Sequence, residues 1–318
     1  MTNVLCDLGG TNCRFALSDV NNMQPKYIAC YSNQKYDTFE EVLTDYIHEQ
    51  QIAEVQSLVV ALAAPVEGDS IKLTNRDWKL DKSILKERLG VKHIHFLNDF
   101  EALGYSLTVA DELSFNTVLK PSVVQCGGPK LVLGAGTGFN CVLLTPKGEV
   151  VCAEAGHSTL VTETPLDRQL QREFIVKYGR CSIERILSGN GIVEIYNAIC
   201  SNNHQRAIFN TSHEIAEAGC NETDIFAFEA CKEFSRILGR TAGDLALLTL
   251  PYSGIFLTGG ITRALKRFIG EPGGSFSSSF FNKGRMREHM SQFPVFLLSD
   301  DHVALYGCGE FLSSQNQT

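Results

Sequence analysis

Short apolar segments separated by polar turns run through the first third of the chain and predict an α/β domain. A capping box made by Thr38 and Glu41 begins a helix predicted over 38–50, and a second helix is bounded by Asp81 and Gly90. Apolar runs predict five strands, at 4–7, 13–17, 26–31, 58–63 and 93–97. The order of three strands, helix, strand, helix and strand is typical of a sheet covered by helices.

The beginning of this pattern occurs again in the second half of the chain. Strands are predicted at 130–133, 139–145 and 150–153, with a glycine-rich turn at 134–138. The segments predicted after them are helices at 165–178, 182–187, 192–200 and 224–249, strands at 255–258 and 295–298, and a last helix at 301–312. The serine-rich stretch 275–279 predicts a loop. We expect a small α/β domain of residues 1–107 plus 300–318 and a large α/β domain of residues 108–299.

Composition restricts the partners and the compartment that we expect. The 318 residues are 44% hydrophobic and 20% charged, which is enough apolar material for two cores. A net charge of −8 argues against a general affinity for nucleic acid or anionic lipid, and the longest apolar run, 58–65, is too short to span a membrane. The 11 cysteines include no C-x-x-C pair, so we expect reduced, mostly buried thiols and a cytoplasmic protein.

Two glycine turns are candidates for holding phosphate. The first follows strand 4–7 and reads Asp7-Leu-Gly-Gly-Thr-Asn12, and the second is the turn at 134–138. Such turns direct amide N–H groups and a threonine hydroxyl at an oxyanion, and Asp7 could hold a hydrated Mg²⁺. One Gly-Gly turn alone is more often a simple hairpin, but two in matching positions, with Gly259-Gly260 after a third strand, favour a nucleotide site. Neither a P-loop nor the dinucleotide fingerprint is present.

Four polar residues could do chemistry. Asp99 follows an apolar strand and could act as a general base, or it could simply cap the next helix. Glu154 and His157 are spaced to hydrogen-bond vicinal hydroxyls, although a lone histidine is more often part of a core. Glu184 could join them, or it could be an ordinary acid in the first turn of a helix.

Seven segments together resemble the bacterial-type glucokinases from end to end. They occur in the order and at roughly the spacing of that family: Asp7-Leu-Gly-Gly-Thr-Asn12, Leu97-Asn-Asp-Phe100, Gly134-Ala-Gly-Thr-Gly138, Glu154-Ala-Gly-His157, Glu184-Arg-Ile-Leu-Ser-Gly189, Phe256-Leu-Thr-Gly-Gly-Ile261 and Phe281-Asn-Lys-Gly-Arg285. The resemblance implies an α/β protein of two actin-like (ribonuclease H-like) domains flanking a cleft, each with a mixed β-sheet and helices. It further implies ATP-dependent phosphorylation of D-glucose at the 6-hydroxyl, feeding glycolysis, with Mg²⁺ as cofactor and a homodimer as the assembly.

The resemblance also implies roles for individual residues. Asp99 matches the catalytic base, and the residues matching sugar ligands are Asn98, Asp99, Glu154, His157, Glu184 and, less closely, Asn75. The residues matching the nucleotide site are Asp7, Gly9, Gly10, Thr11 and Asn12 in the first phosphate loop, Gly136 and Thr137 in the second, and Gly259 and Gly260 in the adenosine motif. The chain departs from the family at Asn140, where a glycine is usual, and at Ala155, which replaces the first glycine of E-G-G-H.

Other functions fit parts of the pattern. A related kinase of mannose, fructose or an N-acetylated hexosamine would use the same constellation. A non-catalytic sugar sensor on the same scaffold would lack the base, whereas this chain retains Asp99. An actin-like filament protein or chaperone ATPase would have no need for the Glu154 and His157 pair.

Overall fold

The computed structural model describes residues 2–20, 22–64, 66–73, 77–123, 125 and 127–315. The strands are β1 (Thr2–Leu8), β2 (Asn12–Asp19), β3 (Asn22–Ser32), β4 (Val55–Leu62), β5 (Ser70–Lys72), β6 (Lys79–Asp81), β7 (His93–Asn98), β8 (Phe115–Leu119), β9 (Lys130–Ala135), β10 (Phe139–Leu144), β11 (Val150–Cys152), β12 (Ile255–Thr258) and β13 (Val295–Leu298). The helices are α1 (Phe39–Glu49), α2 (Lys82–Leu89), α3 (Asp99–Ser106), α4 (Pro165–Tyr178), α5 (Ile183–Ile186), α6 (Gly189–Asn202), α7 (Ser212–Cys220), α8 (Ile225–Thr249), α9 (Gly260–Ala264), α10 (Lys266–Ile269), α11 (Ser275–Phe280), α12 (Arg287–Met290) and α13 (Val303–Gln315).

The chain divides into two compact units. The first consists of Met1–Leu113 with Asp300–Thr318, and the second is Ser114–Ser299. Each has its own mixed sheet and its own helices. The α/β class predicted from the sequence is therefore confirmed.

The sheet of the first unit has the strand order β3-β2-β1-β4-β7. The first three strands form the predicted antiparallel meander, and β4 and β7 then run parallel to β1. The capping box predicted for α1 is present, since the Thr38 side chain accepts the Glu41 amide and the Glu41 carboxylate accepts the Thr38 amide. On the opposite face, Leu305 and Cys308 of α13 pack into the core with Leu5. The sheet is thus buried on both faces.

The second unit repeats this arrangement. Its sheet has the order β11-β10-β9-β12-β13-β8, with β9, β10 and β11 antiparallel and β12 and β13 parallel to β9. The extra edge strand β8 pairs antiparallel with β13 and was not predicted. The repeated strand–turn–strand pattern of the sequence therefore corresponds to two sheets of the same topology.

The serine-rich stretch 275–279 is not a loop, so that prediction was wrong. It forms α11, whose residues Phe276 and Phe280 are fully buried one turn apart. The helix lies against α8 at Gly239, where an added Cβ would come within 2.2 Å of the Phe276 carbonyl oxygen. Four of the six residues are serine, so the apolar stripe formed by Phe276 and Phe280 is hard to recognise in the sequence. The helix is stabilised by its packing against α8, which lies far away in the chain. Helix α7 and the β5–β6 hairpin were likewise missed.

A buried ion-pair network joins α4 to α8. Asp167, fully buried, accepts hydrogen bonds from Arg236 at 2.5 Å and from Arg240 at 2.6 Å. Burial alone would raise the pKa of Asp167, but the hydrogen bond from the Glu163 amide and the two guanidinium groups lower it to about 2. The carboxylate is consequently held in its charged form inside the unit.

Two further sequence expectations concern compartment and membranes. The ten cysteines among the described residues are all free thiols, and most are buried. Within the described ranges, no helix has the length and apolar character needed to cross a bilayer.

Candidate active site

The first glycine turn, residues 9–11, lies at the carboxyl end of β1. Its shape is set by a hydrogen bond from the Gly9 amide to the Asn12 carbonyl at 3.0 Å. Gly10 and Thr11 are exposed at the tip. A Cβ added at Gly9 would stand 3.4 Å from the Asn12 carbonyl oxygen, an ordinary contact distance, so the shape of the turn does not depend on close packing at Gly9. The turn therefore presents backbone and a hydroxyl to solvent, as a phosphate-binding turn must.

Asn33 holds this turn from behind, and sequence reasoning missed it. Its side-chain amide donates to the carbonyls of Gly9 at 2.8 Å and Gly10 at 3.3 Å, and its backbone amide donates to Thr11 at 2.9 Å. The residue is fully buried. A single asparagine after a strand is too common a pattern to single out, so only the fold reveals the contact.

Asp7 precedes the turn on β1. Its carboxylate accepts a hydrogen bond from Arg14 at 3.2 Å. Burial raises the pKa of Asp7, and the neighbouring Arg14 guanidinium opposes this shift. No group of three or more His, Cys, Asp or Glu ligands that could hold a metal occurs in the described part of the chain. One carboxylate beside a phosphate turn fits a hydrated Mg²⁺ carried mainly by phosphates rather than a dedicated protein cage.

Asn98 and Asp99 lie at the same edge of this sheet. The register pairs Leu8 of β1 with Leu62 of β4, and Leu62 with Asn98 of β7, so the three strands end together. Asn98 caps α3 by accepting the Phe100 amide at 3.0 Å, and its own amide donates to Ala64 at 3.3 Å. The alternative that Asp99 is the cap is therefore wrong.

Asp99 is the first residue of α3, and it also accepts the Phe100 amide, at 3.0 Å. It is partly exposed at the sheet edge. Helix N-termini favour negative charge, so an acidic side chain suits this position. Asn75, the remaining sugar-site candidate of this unit, lies outside the described residues.

The second glycine turn, residues 136–138, joins β9 to β10. The Gly136 amide donates to the Gly138 carbonyl at 2.8 Å, and the Gly189 amide at the start of α6 donates to the Gly136 carbonyl at 2.8 Å. Thr137 is exposed at the tip. Support here comes from a helix terminus, whereas in the first turn it comes from a side chain.

Gly259 and Gly260 lie beside this second turn. Gly259 follows β12 with a φ of +102°, and an added Cβ would come within 2.0 Å of the Ala135 carbonyl oxygen. Both the left-handed backbone and the close approach therefore require glycine. Gly260 is exposed and begins α9. The sheet edge thus brings together all four glycine-turn candidates of the second unit, which are Gly136, Thr137, Gly259 and Gly260.

Glu154, His157 and Glu184 come together in the second unit and form what we call the Glu–His–Glu cluster. His157 Nδ1 lies 3.6 Å from Glu184 Oε1, and His157 Nε2 lies 3.9 Å from Glu154 Oε2. Glu154 precedes a 3₁₀ turn of residues Ala155–His157, which His157 ends, and Glu184 lies in α5. The side chains of Glu154 and His157 are 71% and 64% exposed, so His157 is not a core histidine.

The cluster lies against the second glycine turn. A Cβ added to Gly138 would stand 3.5 Å from Glu184 Oε2. Gly156, inside the 3₁₀ turn, is buried so tightly that an added Cβ would be 1.8 Å from the Phe139 carbonyl oxygen. Two carboxylates and an imidazole, with Glu184 26% exposed and the other two side chains largely exposed, can hydrogen-bond several hydroxyls of one polar ligand.

Comparison with known proteins agrees with this architecture. The duplicated sheets and paired glycine turns define a protein of the actin-like ATPase fold, the fold of its structural neighbours. The glucokinase family model matches residues 4–315, and the chain belongs to the glucokinase family.

Individual relatives cover nearly the whole chain. A glucokinase from Hahella chejuensis is 30% identical over 97% of this chain and 96% of its own length. The crystal structure of a glucokinase from an Antarctic psychrotroph is 26% identical, with a TM-score of 0.81 over 98% of this chain and 99% of its own. A ROK family glucokinase from Streptomyces griseus, solved with glucose and AMPPNP, shares the fold at 16% identity, with a TM-score of 0.66 over 99% of this chain and 100% of its own.

Proposed function

We propose that the protein transfers the γ-phosphoryl group of ATP to the 6-hydroxyl of D-glucose. The observation that carries the proposal is the Glu–His–Glu cluster beside a glycine turn, in a chain of the glucokinase family. A hexose presents adjacent hydroxyls, each of which donates and accepts. Carboxylates that accept and an imidazole that can do either match that pattern.

The two glycine turns are assigned to the nucleotide. Exposed amides and the hydroxyls of Thr11 and Thr137 would stabilise the charge on the transferred phosphoryl group, and the Gly259-Gly260 segment would contact the adenosine. The S. griseus neighbour, which binds an ATP analogue on the same fold, supports ATP as the donor. Asp7 would hold the hydrated Mg²⁺, which neutralises phosphate charge when bound.

Asp99 is assigned the role of general base. It would accept the proton of the 6-hydroxyl as the oxygen attacks the γ-phosphorus, and it would orient that oxygen. Its place at the end of β7, at the N-terminus of α3, keeps a carboxylate at the sheet edge that also carries the first glycine turn. Such proton transfer contributes on the order of 10²–10⁴ to the rate. Asn98 and Asn75 are further sugar ligands in this proposal.

A coupled ADP-release assay on purified protein tests the proposal. The acceptors are glucose, mannose, fructose, N-acetylglucosamine and N-acetylmannosamine, and 6-deoxyglucose serves as the matched acceptor that lacks the reacting hydroxyl. We expect ADP release with glucose and none with 6-deoxyglucose. Asp99→Asn should lower kcat by about 10²–10⁴ with little change in the glucose dissociation constant.

Other outcomes would select another function. Faster turnover of an N-acetylated hexosamine would identify a related kinase. Glucose binding without ADP release from any sugar, in a folded protein, would identify a sensor. An Asp99→Asn enzyme with undiminished kcat would remove Asp99 from the mechanism. We further propose a cytoplasmic homodimer. Free thiols support the compartment, and light scattering tests the assembly.

A further inference from the structure

Asn140 occupies a position where its carboxamide can reach across the sheet. It is the second residue of β10 and pairs with Gly134 of β9. Paired residues in an antiparallel ladder project to the same face, and glycine contributes no side chain there. The space beside the second glycine turn is therefore left to the Asn140 side chain, which is partly buried.

The carboxamide makes three hydrogen bonds. Its Oδ1 accepts the Cys141 amide at 2.9 Å and the Ala155 amide at 3.0 Å, and its Nδ2 donates to Glu154 Oε2 at 3.3 Å. Two N–H donors and one carboxylate surround it, so only this orientation of the amide satisfies all of them. Asn140 thus ties strand β10 both to the backbone after Glu154 and to the Glu154 carboxylate itself.

Glu154 needs such a restraint. Its side chain is 71% exposed, and among the described residues its potential ion-pair partner is His157, at 3.9 Å. An exposed glutamate samples several rotamers, and fixing one of them costs entropy when a ligand binds. The Asn140 hydrogen bond removes part of that cost in advance.

We propose that Asn140 is a positioning residue that orients Glu154 toward a hydroxyl of the hexose and thereby sets the affinity for the sugar. The inference rests on the proposed function, since the hexose is the ligand that Glu154 would meet. Asn140 itself need not touch the sugar. Its effect should appear in glucose binding, and the ATP site and the phosphoryl transfer step should be largely unaffected.

The test is a double-mutant cycle on glucose affinity. Asn140→Ala, Glu154→Ala and the double variant are compared with wild type by titration calorimetry with glucose, with KM for glucose and for ATP measured alongside. We expect Asn140→Ala to weaken glucose binding about five- to tenfold, the effect of losing one hydrogen bond to a charged group that is partly open to water. KM for ATP should change less than twofold. In the Glu154→Ala background, Asn140→Ala should have no further effect on glucose binding.

Asn140→Asp separates orientation of Glu154 from simple backbone support. An aspartate keeps an oxygen for the two backbone amides but replaces the donor with a second carboxylate facing Glu154. A positioning role predicts weaker glucose binding than in Asn140→Ala, because like charges repel. A purely structural role predicts near wild-type binding. Asn116→Asp is the matched control, since Asn116 is exposed on β8 and its side chain hydrogen-bonds Ser299 at 2.9 Å, away from the cluster.

The outcomes distinguish this proposal from the proposed function. Wild-type protein that phosphorylates glucose, combined with unchanged affinity in Asn140→Ala, would overturn the positioning role alone. Equal losses from Asn140→Ala in both backgrounds would also overturn it, since the effect would not pass through Glu154. Wild-type protein with no sugar kinase activity would overturn the proposed function first.

Discussion

Replacing Gly156 by alanine should sharply reduce the rate of glucose phosphorylation in a protein that still folds. Gly156 lies in the 3₁₀ turn between Glu154 and His157, and an added Cβ would stand 1.8 Å from the Phe139 carbonyl oxygen, 2.9 Å from its carbon and 3.4 Å from Glu184 Cβ. Nonbonded carbon atoms settle at about 3.5–4.0 Å, so the turn and β10 must separate by on the order of 1 Å. The whole Glu–His–Glu cluster moves with that separation.

The expected magnitudes follow from the displacement. Overpacking of this kind costs about 1–3 kcal/mol of stability. A 1 Å misplacement of substrate-positioning groups can cost about 10²-fold in rate, so we expect kcat/KM for glucose to fall about 10²-fold. KM for ATP should change less than kcat/KM for glucose, because the first glycine turn is held by Asn33 in the other unit and is not displaced. The assays are urea unfolding and steady-state kinetics at a temperature where both proteins are fully folded.

Gly148→Ala is the matched control. Gly148 has a φ of +83° with open space around it, in the β10–β11 turn, so alanine there is strained but meets no neighbour. A left-handed residue other than glycine costs about 1–2 kcal/mol. The two variants should therefore lose similar stability, and only Gly156→Ala should lose glucose turnover. Equal kinetics in the two variants would refute the reasoning.

Two other substitutions test the supports of the fold. Asn33→Ala removes both side-chain hydrogen bonds to the first glycine turn. In the coupled assay, KM for ATP should therefore rise about tenfold while KM for glucose stays unchanged. An unchanged KM for ATP would show that Asn33 is not needed to hold the turn. Asp167 has a pKa lowered to about 2, against 3.8 as its ordinary value, so its stabilisation of roughly 2 kcal/mol is present above pH 4 and lost as pH falls toward 2. Asp167→Asn should lower the free energy of unfolding in urea at pH 7 by about 3–5 kcal/mol, because it leaves Arg236 and Arg240 without their buried carboxylate. The variant should also lose less stability than wild type as the pH falls from 4 toward 2. If the variant lost stability between pH 4 and pH 2 as steeply as wild type, the pH dependence could not be assigned to Asp167.

Most helices and strands could be predicted from the sequence because the residues that begin and end them lie within the elements themselves or next to them. The Thr38 capping box, the Asp81 cap and the Gly90 stop of α2 all appear where propensity places them. The two meanders were readable because glycine turns separate apolar runs twice in the same order. The element predicted wrongly depends instead on contacts between distant parts of the chain. Helix α11 depends on Gly239, far away in the chain, and its four serines have no strong preference of their own.

The candidate site was predictable in its residue types and only partly in its geometry. Glu154 and His157 are three residues apart, so their proximity follows from the turn between them. Glu184 reaches them because Gly156 and Gly138 let α5 approach, a contact that no spacing in the sequence encodes. Asn140 was noticed as a departure from a family pattern, but its three hydrogen bonds become visible only when β10 and the 3₁₀ turn are in place.

The two glycine turns are alike in sequence, but the groups that hold them in place are different. In the first unit a buried asparagine side chain holds the turn carbonyls, and in the second a backbone amide at the start of α6 does so. A phosphate requires only that amides and a hydroxyl face outward. It places no demand on what supports the turn from behind. Selection for such a site therefore preserves the turn and leaves its support free to change, so the turn is the part of the duplication that one sequence can reveal.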